Sequence, residues 1–152
     1  MPYSIHGMTL SPDDIEHFVE HGFVVVRQCI DPALMSRWVD RSWRRNGCNP
    51  ADRSTWQPAR LHMPTIEDVF PQQVAPRAHQ AICQLMGGEE RLGHKVKWGD
   101  GFIVNFSIGA DQEWIPPSPK IEGWHKDGDF FLHFLDSPEQ GLLSIIIWQD
   151  IE

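Results

Sequence analysis

The sequence centres on a nine-residue stretch, Gly123-Trp124-His125-Lys126-Asp127-Gly128-Asp129-Phe130-Phe131. If this stretch is a β-strand, His125 and Asp127 point to the same face, because side chains alternate along a strand. Two residues of rise place their Cα atoms roughly 6.5 Å apart, so an imidazole and a carboxylate can converge on one metal ion. A second histidine from a distant strand would complete a set of two histidines and one carboxylate, which suits Fe(II) and leaves coordination positions open.

The same stretch also has an interpretation as a turn. With 8 His and 12 Asp in 152 residues, about 0.6 His-x-Asp triplets are expected by chance, so the triplet alone is weak support for a metal site. Asp127-Gly128 is a two-residue hairpin signal, and the apolar residues on either side could form the two arms. Asp127 would then hydrogen-bond to its own turn, and the spacing alone leaves both interpretations open.

Composition and charge restrict the class of protein. The chain is long enough for one domain with a real core. Its formal charge of −8 at pH 7, with no basic cluster, argues against nucleic acid or an anionic membrane surface as the main partner and leaves a small-molecule substrate. The N-terminus has no signal peptide pattern, and no apolar run approaches membrane-spanning length, so the predicted location is the cytoplasm. The oligomeric state is not indicated.

The three cysteines point to the same compartment. Cys29, Cys48 and Cys83 are widely spaced, odd in number and outside any metal-finger pattern. Such usage is typical of free thiols in a reducing environment.

Three helices are predicted from capping residues and apolar spacing. The first begins after Ser11, which caps it together with Asp14, and ends at Gly22. The second runs from residue 32 towards 45 and the third from 76 to about 86. Arginines near the end of the second helix are explained by the helix dipole and by solubility: Arg41, Arg44 and Arg45.

Strands are predicted where the pattern changes to a period of two or to an apolar run. Residues 23–26 form a β-branched run, and residues 102–107 alternate. Asn105 would share a face with Ile103, and that face either lines a cavity or meets solvent. Residues 142–148 are apolar on both faces, which predicts a covered, paired strand. Helices followed by strands predict an α+β domain or an all-β domain decorated with helices. Because the last predicted strand is apolar on both faces and has no partner after it, we expect that partner strands are missing.

Two blocks of sequence resemble the phytanoyl-CoA dioxygenase family, whose members are Fe(II)- and 2-oxoglutarate-dependent oxygenases. The first block is Leu10-Ser11-Pro12-Asp13-Asp14-Ile15-Glu16-His17-Phe18 with Gly22-Phe23-Val24-Val25-Val26-Arg27 and Asp31-Pro32. The second runs from Trp124 through His125 and Asp127 to His133-Phe134-Leu135-Asp136-Ser137, and resembles the metal-binding segment of the family. The similarity covers most of the chain and is weakest over residues 46–71.

The resemblance implies a fold, a cofactor and a site. The fold is a double-stranded β-helix, or jelly-roll barrel, with helices packed outside, here incomplete. His125 and Asp127 are then two of three Fe(II) ligands. Asn105 loosely matches a position that supplies an amide to 2-oxoglutarate, and Lys126, between the ligands, is a weaker candidate for a carboxylate contact.

The sequence departs from the family pattern at its end. The second histidine of the family and the arginine that binds the distal carboxylate of 2-oxoglutarate fall beyond residue 152, and His133 is too close to Asp127 to replace that histidine. The chain is therefore expected to be one domain, residues 1–152, the N-terminal part of a truncated dioxygenase that is inactive alone. The alternatives are a non-catalytic jelly-roll binding protein and a zinc hydrolase on the same scaffold.

Overall fold

The computed structural model describes residues 9–93, 96–106, 111, 113–116, 118–121, 125, 132, 134 and 141–149. The chain divides into two compact units, one formed by Met1–Phe106 with Ile147–Glu152 and the other by Ser107–Ile146. Every helix and strand of the described residues lies in the first unit. In the second unit, the described residues include a hydrogen bond from the Ile121 N–H to the Ser118 carbonyl (3.0 Å).

Helix α1 spans Pro12–His21 and has the predicted capping box. The Asp14 N–H donates to Ser11 Oγ (3.1 Å), and the Ser11 N–H donates to the Asp14 carboxylate (2.9 Å). Gly22 ends the helix at φ +80°, a left-handed conformation that glycine adopts without a steric cost. The helix is shallowly packed, since it contains no buried residue and Val19 is 79% exposed.

Helix α2 spans Pro32–Asn46 and provides the centre of the core. Asp31 caps it by accepting from the Ala33 N–H (2.9 Å). Leu34 and Trp38, one turn apart on its inner face, are 2% and 0% exposed. The predicted apolar stripe of this helix is confirmed.

The third predicted helix is also present, and a short helix precedes it. Helix α3 spans Pro71–Val74 and helix α4 spans Pro76–Met86. Ala78 and Ala81 are the buried residues of α4. The Gln84 side chain near the end of α4 accepts a hydrogen bond from the Leu10 N–H (3.0 Å) and donates one to the Leu10 carbonyl (2.8 Å).

Four short strands form two antiparallel ribbons. Strand β1 (Arg60–His62) pairs with β4 (Ile103–Asn105), and strand β2 (Asp68–Val69) pairs with β3 (Trp98–Gly99). Residues 46–71, where the family resemblance is weakest, therefore supply one strand to each ribbon. A 3₁₀ turn at Arg53–Thr55 precedes β1.

Two of the predicted strands are wrong. Residues 23–26 form no strand, and Phe23 and Val25 are 55% and 60% exposed. Residues 142–148 form no strand either, and Ile145 is 78% exposed. Both segments have the composition of strands, but no described segment pairs with them, and a strand requires a partner for its backbone groups.

The described residues thus form a mixed α and β structure with helices and small antiparallel sheets, compatible with the predicted α+β class. They include no closed barrel. Cys29, Cys48 and Cys83 are all free thiols, as predicted. No helix within the described ranges is long and apolar enough to cross a bilayer.

Candidate functional site

The predicted metal ligands lie in the second unit. His125 is described there and is exposed. Asp127 and Lys126 lie outside the described residues, as does His133, so neither the convergence of His125 with Asp127 nor the competing turn is tested. Within the described ranges, no three His, Cys, Asp or Glu side chains are grouped so as to hold a metal ion.

Asn105, the predicted amide ligand of the co-substrate, lies at the end of strand β4 in the first unit. Its side chain is exposed, and Ile103 on the same face is 56% exposed. The register places Arg60 of strand β1 directly opposite Asn105 and His62 opposite Ile103. All four side chains occupy one face of the β1–β4 ribbon because residues two apart on a strand share a face.

The hydrogen-bond pattern shows which cross-strand pairs are close. At one end of the ribbon the Met63 N–H donates to the Phe102 carbonyl (2.8 Å), and at the other end the Phe106 N–H donates to the Ala59 carbonyl (3.0 Å). In an antiparallel ladder, bonded and non-bonded pairs alternate, and side chains are closer in the non-bonded pairs, whose Cα atoms are about 4.5 Å apart. The non-bonded pairs here are Arg60 with Asn105 and His62 with Ile103.

The opposite face of strand β4 packs on aromatic residues. The Phe106 ring lies 6.0 Å from that of Trp43 on helix α2 and stacks on Trp56 at 5.4 Å. The Phe102 ring meets Trp148 at 5.5 Å. The predicted alternation of residues 102–106 is therefore confirmed, and the face of Asn105 is turned away from the helix.

The charged cluster around Asp100 was not predicted. The Asp100 side chain is fully buried, and its Oδ1 accepts from the Ile66 N–H (2.6 Å) and the Glu67 N–H (2.9 Å). Its Oδ2 lies 3.1 Å from Arg45 Nη1 and 3.4 Å from Arg41 Nη1.

These contacts determine the ionisation of Asp100. Burial raises the pKa of its carboxyl, but the hydrogen bonds from Glu67 and Ile66 and the charges of Arg45 and Arg41 together outweigh burial. The net effect lowers the pKa below its ordinary value, so the group is ionised at neutral pH. A buried carboxylate with all of these partners is a structural ion pair rather than an acid or base for catalysis.

The cluster also explains two arginines on helix α2. Arg45 donates to the carbonyls of Asp100 (3.1 Å) and Pro64, and Arg41 donates to Glu67. The explanation of these arginines by the helix dipole and by solubility did not include these partners. Spacing of one turn, at residues 37, 41 and 45, was the available sequence signal, but it does not identify acids that lie more than twenty residues away in sequence.

Two other features of the first unit do not form a competing site. A surface pocket of about 330 Å³ is lined by Phe70, Gln72, His79, Glu89, Leu92, Gly93 and Val96, and no predicted site residue lines it. The nearby thiol of Cys83 lies 3.8 Å from His79 Nδ1. Burial raises the pKa of Cys83, which disfavours the thiolate that a nucleophile requires.

Comparison with known proteins leaves the family open. The chain matches no protein-family model, no curated protein and no solved structure.

The donor types at residues 125 and 127, an imidazole and a carboxylate, suit Fe(II), and the amide of Asn105 suits a carboxylate ligand.

Proposed function

We propose that the protein is an Fe(II)- and 2-oxoglutarate-dependent dioxygenase that hydroxylates a small organic substrate. The sequence support is the His125-x-Asp127 pair in the context that resembles the phytanoyl-CoA dioxygenase family. The structural observation that carries the proposal is the position of Asn105, on the face of β4 that is turned away from helix α2.

That position is the expected one if the ribbons belong to a jelly-roll barrel with helices outside. In such a barrel the face of a strand opposite the helices lines the interior, where a ligand is held. Asn105 ends strand β4 and Phe106 follows it, so the two side chains point to opposite faces. Since Phe106 packs against Trp43 of α2, Asn105 faces away from that helix, and its exposed amide can donate a hydrogen bond to a carboxylate.

In this proposal His125 and Asp127 hold Fe(II), and Asn105 and Lys126 are two separate candidates for contact with 2-oxoglutarate. The bound metal and co-substrate supply oxidation of an unactivated C–H bond by O₂, with decarboxylation of 2-oxoglutarate to succinate. The chain would contribute a donor to a carboxylate of the co-substrate, from the Asn105 amide or, as the weaker candidate, from the Lys126 ammonium. Binding of the metal and the co-substrate must precede turnover, so binding is the first test.

The test is equilibrium dialysis of the chain against Fe(II) without oxygen, with and without 2-oxoglutarate. If both ligands contact one centre, each must tighten binding of the other, because coupling between two ligands is reciprocal. We expect 2-oxoglutarate to increase the iron retained, and Asp127→Asn to abolish the increase. His133→Ala, which removes a histidine that we do not assign to the metal, is the matched control and should retain the increase.

Two results would overturn the proposal. The first is iron retention that does not respond to 2-oxoglutarate. The second is a preference for Zn(II) that is equally indifferent to 2-oxoglutarate, which would support the zinc hydrolase instead.

A further inference from the structure

We propose that Arg60 and Asn105 together bind the carboxylate of a small organic acid on the exposed face of the β1–β4 ribbon. This inference rests on the proposed function for the identity of that acid, either the co-substrate or the molecule to be oxidised. The site itself rests on the geometry of the ribbon and does not require iron.

Arg60 and Asn105 lie close together across the ribbon. Arg60 and Asn105 are directly opposite in a non-hydrogen-bonded pair, the arrangement in which cross-strand side chains lie closest. A guanidinium has a fork of N–H donors that matches the two oxygens of a carboxylate, and a side-chain amide adds a further donor. The two side chains therefore lie beside each other on one face, where both can reach the same carboxylate.

The Arg60 guanidinium is not paired with another group among the described residues. Within the described ranges, the Arg60 guanidinium has no hydrogen-bond or ion-pair partner, and its side chain is exposed. The arginines of helix α2 differ: Arg41 and Arg45 are both paired with acids of the same unit. Among the described residues, no acid pairs with Arg60, so its guanidinium can bind the carboxylate of a ligand.

The other side chains on this face of the β1–β4 ribbon also suit an organic acid. Its four positions carry a cation, an imidazole, an amide and an isoleucine, and none carries a carboxylate. The imidazole N–H of His62 is a further donor on this face. Ile103, 56% exposed, provides an apolar surface beside the donors. This combination suits an organic acid with a short hydrocarbon chain better than inorganic phosphate.

The test is nuclear magnetic resonance of the ¹⁵N-labelled chain without metal, titrated with 2-oxoglutarate, with hexanoate and with neutral hexanamide. We expect the amide signals of strands β1 and β4 to shift with one or both acids, with a Kd on the order of 1 mM, and not with the neutral amide. Tighter binding of 2-oxoglutarate identifies the co-substrate as the source of the carboxylate, and tighter binding of hexanoate identifies the oxidised substrate.

Variants separate this inference from the proposed function. Arg60→Ala and Asn105→Ala should each weaken acid binding by about tenfold, equivalent to about 1.4 kcal/mol. Arg44→Ala removes the same charge from an exposed position of helix α2 and should leave binding unchanged. Equal shifts with hexanamide, or equal losses in Arg44→Ala and Arg60→Ala, would overturn the inference, whatever dialysis shows for iron.

Discussion

Replacing the buried carboxylate of Asp100 by an amide tests the strongest electrostatic feature of the fold. Asp100→Asn keeps the shape of the side chain and retains one oxygen for the N–H groups of Ile66 and Glu67. It removes the negative charge beside Arg45 and Arg41. The new NH₂ group also turns donors towards the donors of those guanidinium groups.

The expected cost follows from burial. Removing one partner of a buried ion pair destabilises a protein by about 3–5 kcal/mol, because the other charge is left uncompensated. The side chains of Arg45 and Arg41 are 15% and 31% exposed, so water can partly solvate them. We therefore expect a loss near the lower end, about 3 kcal/mol.

Urea unfolding followed by tryptophan fluorescence measures this loss. With a denaturant dependence of about 1.5 kcal/mol per molar, the midpoint should fall by about 2 M. The matched control is Asp68→Asn, which breaks the exposed pair of Asp68 with Lys97 (2.7 Å) and should cost less than about 1 kcal/mol. Equal losses in the two variants would refute the reasoning from burial.

Three further predictions concern the same unit. Because the folded-state pKa of Asp100 is lowered, the stabilisation from its carboxylate is present above the unfolded pKa of about 3.9 and disappears as pH falls through the folded pKa. Acid unfolding of Asp100→Asn should therefore depend less on pH in that range than unfolding of the original protein. An unchanged pH profile would contradict this. Gly101→Ala should lower the melting temperature, because its Cβ would lie 2.5 Å from Thr65 Oγ1 and 3.3 Å from the Met63 carbonyl; a melting temperature equal to that of the original protein would show that the backbone adjusts freely. Ser11→Ala should cost about 1 kcal/mol of local stability in helix α1, measured as faster hydrogen exchange of its amides; unchanged exchange would show that the cap does not hold the helix.

The helices could be predicted from the sequence because their signals are local. Ser11 with Asp14 begins α1 and Gly22 ends it, and these residues act on groups within one turn of themselves. The alternation of residues 102–106 was also sufficient to predict which residues share a face of β4, since a period of two fixes the faces once a strand exists. It did not predict which of the two faces packs inward.

The remaining features depend on residues far apart in the chain. Residues 23–26 and 142–148 have strand composition, but composition does not provide the second strand that the backbone needs. Asp100 is held by helix α2 and by the segment before β2, and nothing within its own neighbourhood of sequence indicates these partners. Likewise, the pairing of Arg60 with Asn105 joins two segments more than forty residues apart, and only the structure shows it.

The proposed binding of Fe(II) by His125 and Asp127 can be observed by proton nuclear magnetic resonance of the histidine rings during an anaerobic Fe(II) titration. A bound paramagnetic ion broadens the signals of nearby protons. We predict that the His125 ring signals broaden at the lowest iron concentrations, that Asp127→Asn shifts this broadening to at least about tenfold more iron, and that His133→Ala leaves it unchanged. Broadening of His125 that is the same in Asp127→Asn as in the original chain would contradict the claim.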